Sequence, residues 1–230
     1  MELAILFDNR SIAPSFLSGW GYSVLLRPQG LLFDTGSETA SLLHNLKEFG
    51  FSPGEINTIF LSHFHWDHTG GLLGLLPELK NPRVILHRGF SKGFVREVVR
   101  LGGEVVLADQ AAEILPGLWT TGILPGPVPE AALVFRPKGL VLTGCAHFGL
   151  LELLKTALFL LNGPPSLLMG GFHLLNKPLK EVRTLGLALK SAGVRRVAPS
   201  HCTGAKAEKI LADIFGDDFW YVGAGSFLSL

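Results

Sequence analysis

The sequence predicts an α/β fold in which two sheets carry helices on their outer sides, four layers in all. Three observations point there. Short β-branched or leucine-rich runs recur along the whole chain, and amphipathic stretches of helical period separate the later ones. Mixed strands come first and helix-separated strands follow, the pattern of two sheets rather than one. No linker, composition break or short repeat divides the chain, and 230 residues at 47% hydrophobic can build one large core. A single domain over residues 1–230 is therefore expected.

The elements follow in order. Met1-Glu2-Leu3-Ala4-Ile5-Leu6-Phe7-Asp8 has no basic lead and a short apolar run, so it reads as a first strand rather than a signal peptide. Val24 to Arg27 and Leu31 to Asp34, split by Pro28-Gln29-Gly30, read as a hairpin. Ser37 is placed to cap a helix running to about Phe49, with Leu42, Leu43, Leu46 and Phe49 on one face; Gly50 and Pro53 end it. Ile56 to Leu61 reads as a buried strand, and Thr69-Gly70-Gly71 leads into a short helix. Further strands are expected at Val84 to His87, Val105 to Ala108, Leu118 to Gly122, Leu133 to Phe135 and Leu140 to Thr143. Helices over Leu150 to Leu161, Leu179 to Ala192 and Ala205 to Phe215 alternate with strands near Leu167 to Met169, Val194 to Pro199 and Trp220 to Val222.

Composition narrows the function. Only 17% of residues are charged and the formal net charge is +1, so electrostatic capture of nucleic acid or an acidic membrane is not expected. No stretch approaches the ~18 apolar residues of a membrane span. With no export signal the expected compartment is the cytoplasm, where Cys145 and Cys202 stay reduced.

The histidines carry the chemistry. Three fall within His63-Phe64-His65-Trp66-Asp67-His68, directly after a strand. His63 and His65 project to one side of an extended segment, and a turn after them presents Asp67 and His68 to a neighbouring position. Imidazole and carboxylate are ligands for zinc, iron or manganese, and the spacing suits two adjacent ions. A surface histidine cluster is the bland alternative; four ligand-type side chains in six residues at a strand end favour the metal.

His63-x-His65-x-Asp67-His68, preceded by Leu32-Phe33-Asp34-Thr35-Gly36, resembles the metallo-β-lactamase superfamily. Thr143-Gly144-Cys145-Ala146-His147, Gly170-Gly171-Phe172-His173-Leu174 and Ser200-His201-Cys202-Thr203-Gly204 are similar to one branch of it. That branch includes archaeal proteins implicated in joining a dihydropterin to ribofuranosylaminobenzene phosphate, a methanopterin precursor step. The resemblance implies an αββα sandwich binding two divalent ions, zinc first, with manganese or iron as the other candidates. It implies His63 and His65 as ligands of the first ion, Asp67, His68 and His201 as ligands of the second, and Asp34 as the residue that orients ligands or holds the turn.

The chain departs from the family pattern at two points. The stretch Gly122-Ile123-Leu124-Pro125-Gly126-Pro127-Val128 lacks the histidine of the usual Pro-Gly-His segment, and His147 is the substitute ligand. Cys145 stands where many members have a bridging aspartate, so a thiolate ligand is expected there or, alternatively, a buried packing thiol. Cys202 reads as structural. His173 either faces the pocket as a proton donor or substrate contact, or bonds a backbone carbonyl. His44 and His87 read as unrelated to metal, and Phe64 and Trp66 either wall the pocket or pack against the loop.

The implied chemistry is hydrolysis of a small ester, thioester, lactone or phosphoester by a metal-bound hydroxide, with Asp67 taking a proton. A transferase joining a dihydropterin pyrophosphate to an aminobenzene ribose phosphate is the first alternative, with Lys177, Lys180 and Lys206 as phosphate contacts; a di-iron redox protein is the second. No Gly-x-Ser-x-Gly or Walker-type loop offers another mechanism. The partner is a small-molecule substrate, with no nucleic acid and no membrane.

Overall fold

Two mixed sheets, one in each of two compact units, organise the chain. The computed structural model describes residues 1–230. The first unit comprises Met1–Asp109 with Gly223–Leu230, and the second Gln110–Val222.

The first unit holds β1 (Glu2–Phe7), β2 (Ser23–Arg27), β3 (Leu31–Phe33), β4 (Thr58–Phe60), β5 (Arg83–Leu86), β6 (Glu104–Leu107) and the C-terminal β13 (Phe227–Ser229). They lie in the order β13-β1-β2-β3-β4-β5-β6. The β13-β1, β1-β2 and β2-β3 pairs are antiparallel, and β3, β4, β5 and β6 run parallel. Helix α1 (Thr39–Glu48) buries Leu42 and Leu46 in a core with Leu25, Ile59, Val84 and Val98. Its cap residue is Glu38 in extended conformation, with no side-chain cap bond, one position beyond the expected Ser37. Short helices α2 (Trp66–Thr69) and α3 (Leu72–Leu75) and the longer α4 (Lys92–Arg100) complete the unit.

The second unit holds β7 (Gln110–Leu115), β8 (Leu118–Gly122), β9 (Leu133–Phe135), β10 (Leu140–Thr143), β11 (Leu167–Gly171) and β12 (Arg196–Ser200), in the order β12-β11-β10-β9-β8-β7. Here β7 to β10 are antiparallel, whereas β10, β11 and β12 are parallel. Helices α5 (Leu150–Leu161), α6 (Leu179–Ser191) and α7 (Ala205–Phe215) bury Leu153, Ala157, Val182, Leu189, Leu211 and Ile214 in one core. No helix of the chain is long and apolar enough to cross a membrane.

Three elements escape the periodicity reading. Helix α4 escapes it although its signals are present: Ser91 caps it by accepting the Phe94 N–H, and Phe94, Val95 and Val98 turn one apolar face to the core, with only Val98 fully buried. Strands β7 and β13 have mostly exposed residues and sit at sheet edges, where no alternation of buried and exposed side chains is imposed. The expected strand at Trp220 to Val222 does not form: Trp220 donates once to the Val197 carbonyl and the chain then leaves the sheet edge.

Parallel strands dictate where chemistry gathers. In each unit their C-terminal ends lie side by side in register, Phe33↔Phe60↔Ile85 in one and Thr143↔Gly170↔Pro199 in the other. Within each unit the loops that leave these strands emerge at one edge of its own sheet, the usual binding edge of parallel sheets.

Candidate metal centre

In the first unit, β3 delivers Asp34, β4 delivers Ser62 and His63, and β5 delivers His87. Asp34 is fully buried and takes a left-handed backbone (φ 53°), a conformation that aspartate tolerates better than most residues. Its carboxylate accepts the Ser62 N–H at 2.7 Å on Oδ1, and on Oδ2 both the Ser62 hydroxyl at 2.7 Å and His68 Nδ1 at 2.7 Å.

These bonds assign the ring protons. A carboxylate only accepts, so His68 carries a proton on Nδ1, and in the neutral ring its Nε2 is an acceptor. The Ser62 hydroxyl has one proton, which goes to Asp34; its bond to His63 Nδ1, at 2.9 Å, must therefore be donated by the ring. In the neutral ring His63 Nε2 is then an acceptor too, and it takes a hydrogen bond from His65 Nδ1–H at 3.0 Å. His68 Nε2 in turn faces the Asp67 carboxylate at 3.7 Å.

An imidazole lone pair facing a carboxylate is what a cation neutralises, and an ion would also take the place of the proton shared by His63 and His65. Two nitrogens about 2.05 Å from a tetrahedral zinc ion are separated by about 3.3 Å, close to the His63–His65 spacing. By donor chemistry and spacing, the residues of this cluster fit a zinc-type ion.

Close packing holds the cluster. Helix α2 starts immediately after His65 and carries Asp67 and His68, and the Thr35 hydroxyl donates to the His68 carbonyl at 3.0 Å. At Gly71 a side chain is excluded by approach rather than by dihedral angle, since a Cβ there would run into the Thr35 carbonyl oxygen. His87 donates from Nε2 to the Ser62 carbonyl and accepts the Gly89 N–H on Nδ1, so both its ring nitrogens are engaged by backbone. His44 bonds the Ser15 carbonyl. Phe64 packs on Phe90 and Phe94, the packing alternative, whereas Trp66 is 64% exposed.

In the second unit, β10 leads to Cys145 and His147, β11 to His173, and β12 to His201 and Cys202. Donor atoms of Cys145, His147 and His173 lie within 4.8 Å of one another, as do those of Cys145, His201 and Cys202. Of the two alternatives for His173, the structure favours the pocket: the residue lines a cleft, its ring lies 4.6 Å from that of His147, and its backbone N–H donates to Cys202 Sγ at 3.3 Å. The hydrogen bond with Cys202 raises the His173 pKa above the usual imidazole value, against the effect of burial. Burial opposes ionisation of the Cys202 thiol, yet hydrogen bonds from Cys145 and His173 outweigh it and hold the thiol well below its ordinary range.

Glu130 is the residue that the sequence reading misses. Its fully buried carboxylate accepts the N–H groups of Cys145, Ala146 and His147 at 2.8, 2.9 and 2.9 Å and His147 Nδ1 at 2.7 Å. The available signal was a lone acid between Pro129 and the apolar run Ala131-Ala132-Leu133, at the entry to a buried strand.

Backbone strain concentrates on these residues. Asp34, Ala146, His173 and His201 all have positive φ, between 50° and 56°; the other non-glycine cases are Asn81 and Asn162. Asparagine, aspartate and histidine enter this region more readily than other residues, whereas alanine does so at a cost of order 1–3 kcal/mol, and such strain clusters at functional sites.

His147 and His173 also line a cleft of about 310 Å³ with Phe148, Leu151, Phe172 and Lys177. Lys180 faces a different hollow, and Lys206 sits in the first turn of α7.

A sequence profile described as the metallo-beta-lactamase superfamily matches residues 22–167. The chain belongs to the metallo-β-lactamase superfamily. Its curated relatives include the 7,8-dihydropterin-6-methyl-4-(β-D-ribofuranosyl)-aminobenzene-5′-phosphate synthase of Methanocaldococcus jannaschii, 27% identical over 93% of this chain and 90% of that protein. Among solved structures, a metal-dependent hydrolase of the β-lactamase superfamily matches with a TM-score of 0.86 at 27% identity, covering 100% of this chain and 99% of that one. The short form of human tRNase Z shares the fold, with a TM-score of 0.67 at 16% identity over 100% of this chain and 99% of its own. The metallo-β-lactamase fold expected from the sequence is thus the fold of this chain.

Proposed function

We propose that this chain is a metal-dependent hydrolase of a small ester, thioester, lactone or phosphoester. Its ligands would be His63, His65 and His147 for a first ion and Asp67, His68 and His201 for a second, with the Cys145 thiolate at the position of the family's bridging aspartate. Zinc is the expected metal, and manganese or iron would use the same nitrogen and oxygen donors. The observation that carries this reading is the placement of ring protons: buried carboxylates draw them onto Nδ1 of His68 and His147, leaving Nε2 of each ring as an acceptor.

When bound, the ions supply a Lewis acid that polarises the scissile carbonyl or phosphoryl and acidifies water. The chain's residues do the rest. Asp67 accepts a proton from the attacking water as its oxygen bonds to the acyl carbon or phosphorus. His173, whose raised pKa favours the protonated ring, gives a proton to the departing oxygen or sulfur as that bond breaks. The apolar part of the substrate sits among Phe148, Leu151 and Phe172 in the 310 Å³ cleft, at the small end of ligand pockets. A net charge of +1 accords with a small molecule rather than nucleic acid.

The named synthase among the relatives favours one second reading, a transferase joining a dihydropterin pyrophosphate to an aminobenzene ribose phosphate, with Lys177 beside the cleft as a phosphate contact.

Elemental analysis of protein purified without a histidine tag or chelator tests the proposal, followed by a screen of esters, thioesters, lactones and phosphoesters. Close to two zinc or manganese ions per chain with turnover of one class supports hydrolysis. Metal without hydrolysis, but with pyrophosphate release from a dihydropterin pyrophosphate, moves the transferase forward. Iron favours a redox role, and no metal after reconstitution overturns the enzymatic reading.

A further inference from the structure

The loop that lacks the family's histidine still serves the centre, by a different route. Gly122 to Val128 carries no imidazole, but the segment it belongs to turns back on itself, Leu124 pairing with Glu130 at 2.9 Å, and returns to β9 with Glu130 buried at its end. That side chain collects donors: three consecutive backbone N–H groups from residues 145–147, the Thr143 hydroxyl at 3.3 Å and His147 Nδ1 at 2.7 Å.

We infer that Glu130 is the positioning residue for His147, fixing its ring as the Nδ1–H tautomer and holding the 143–147 turn so that Nε2 faces outward as a donor to metal. The inference rests on the reading of His147 as a ligand.

The geometry argues for this in two steps. A neutral imidazole chooses between two nitrogens for one proton, and a buried ionised acceptor 2.7 Å from Nδ1 decides the choice, because the opposite tautomer would set two lone pairs against each other in a site that excludes water. Ring orientation is decided by the same oxygen: Oε2 also accepts the His147 backbone N–H at 2.9 Å, so backbone and ring of one residue are tied to one atom. Ala146 is held at φ 56° within this turn, a strained conformation that needs such an anchor. Asp34 does the same for His68 in the first unit, so each unit has a buried carboxylate that serves one of its candidate ligands.

The test separates positioning from simple support of the fold. In ¹⁵N-histidine-labelled, chelator-treated protein above neutral pH, long-range ¹H–¹⁵N spectra should show His147 protonated on Nδ1, its signals assigned by loss in His147→Asn. Glu130→Gln keeps the shape but sets an amide N–H₂ among the donors; the tautomer should shift toward Nε2–H, and zinc affinity by chelator competition should fall about 10- to 100-fold. Thr143→Val removes one donor to the same carboxylate without touching the ring; it should lower stability yet keep the tautomer, with zinc affinity within about twofold. An Nε2–H tautomer in the unsubstituted protein overturns the inference, and so does wild-type zinc affinity in Glu130→Gln. If Glu130→Gln does not fold, the tautomer of the unsubstituted protein still decides. If that protein takes up no zinc, the metal reading fails while the tautomer still reports on Glu130.

Discussion

Replacing Asp34 by asparagine isolates the electrostatics of the first unit's histidine network. Asparagine is nearly isosteric and tolerates the left-handed backbone at φ 53°, so conformational strain is not added. What changes is one oxygen. Oδ2 accepts two donors, the Ser62 hydroxyl and His68 Nδ1, each at 2.7 Å, and the side chain is wholly buried. An amide N–H₂ in its place faces both donors. Ser62 can rotate to accept, and His68 can move its proton to Nε2, but the charge assistance is lost. The Ser62 proton then points to His63 and pushes that ring's proton to Nε2 as well. With hydrogen bonds to charged groups contributing about 1.5–3 kcal/mol each, and partial recovery through neutral bonds, the net destabilisation is about 2–4 kcal/mol. In a chain of this length that corresponds to a fall in Tm of roughly 5–15 °C. Both tautomers now present N–H where a ligand lone pair is needed, so zinc affinity drops about 10- to 100-fold. Thermal unfolding by circular dichroism on chelated protein reads the first effect, and competition against a chromophoric chelator reads the second. A variant that melts within about 2 °C of the parent and binds zinc within twofold would refute the assignment of the ring protons.

Other expectations follow from the same structure. His147→Ala and Cys145→Ser should each lower zinc content per chain; if neither does, the assignment of these residues as ligands is wrong. Gly170 has φ +116° and pairs with Thr143, so a Cβ there would enter the Thr143 carbonyl oxygen. Gly170→Ala should cost more than about 4 kcal/mol and yield insoluble protein, whereas Gly50→Ala, at φ +75° in open space, should cost about 1–2 kcal/mol by urea denaturation; equal costs would contradict the packing. The backbone N–H and guanidinium of Arg88 hold the Asp109 carboxyl below its ordinary value of 3.8. The folded state therefore has the lower pKa, and the stabilisation is present above about pH 4 and lost as pH falls through the depressed folded value. Asp109→Asn should cost about 1 kcal/mol at pH 7 and less near pH 3; an undiminished cost at pH 3 would reject this pairing.

Much of the fold is legible locally. The hairpin Val24 to Asp34 and the helices over Leu150–Leu161 and Ala205–Phe215 sit close to where turn residues and apolar spacing put them, because the hairpin strands lie inside a sheet and each helix buries an apolar face in the core. Where burial is slight the signal is absent, as in the edge strands β7 and β13. The histidine cluster at 63–68 was readable for a similar reason: its residues are neighbours in sequence and emerge together from one strand.

The sequence by itself determined the donor chemistry and its places: imidazoles, a carboxylate and a thiol at the ends of successive strands, in an order shared with one superfamily. Only the tertiary structure decided how those donors are presented. Which nitrogen of His68 bears the proton depends on a carboxylate 34 residues away, and for His147 on one 17 residues away. Glu130 in isolation is one acid among 19 acidic residues. It acquires meaning when the 122–130 loop folds back and places its carboxylate, out of water, against a turn of unsatisfied N–H groups. Local spacing can announce a ligand, but orientation is set by long-range hydrogen bonds in a dry interior, and those exist only once the chain has closed on itself.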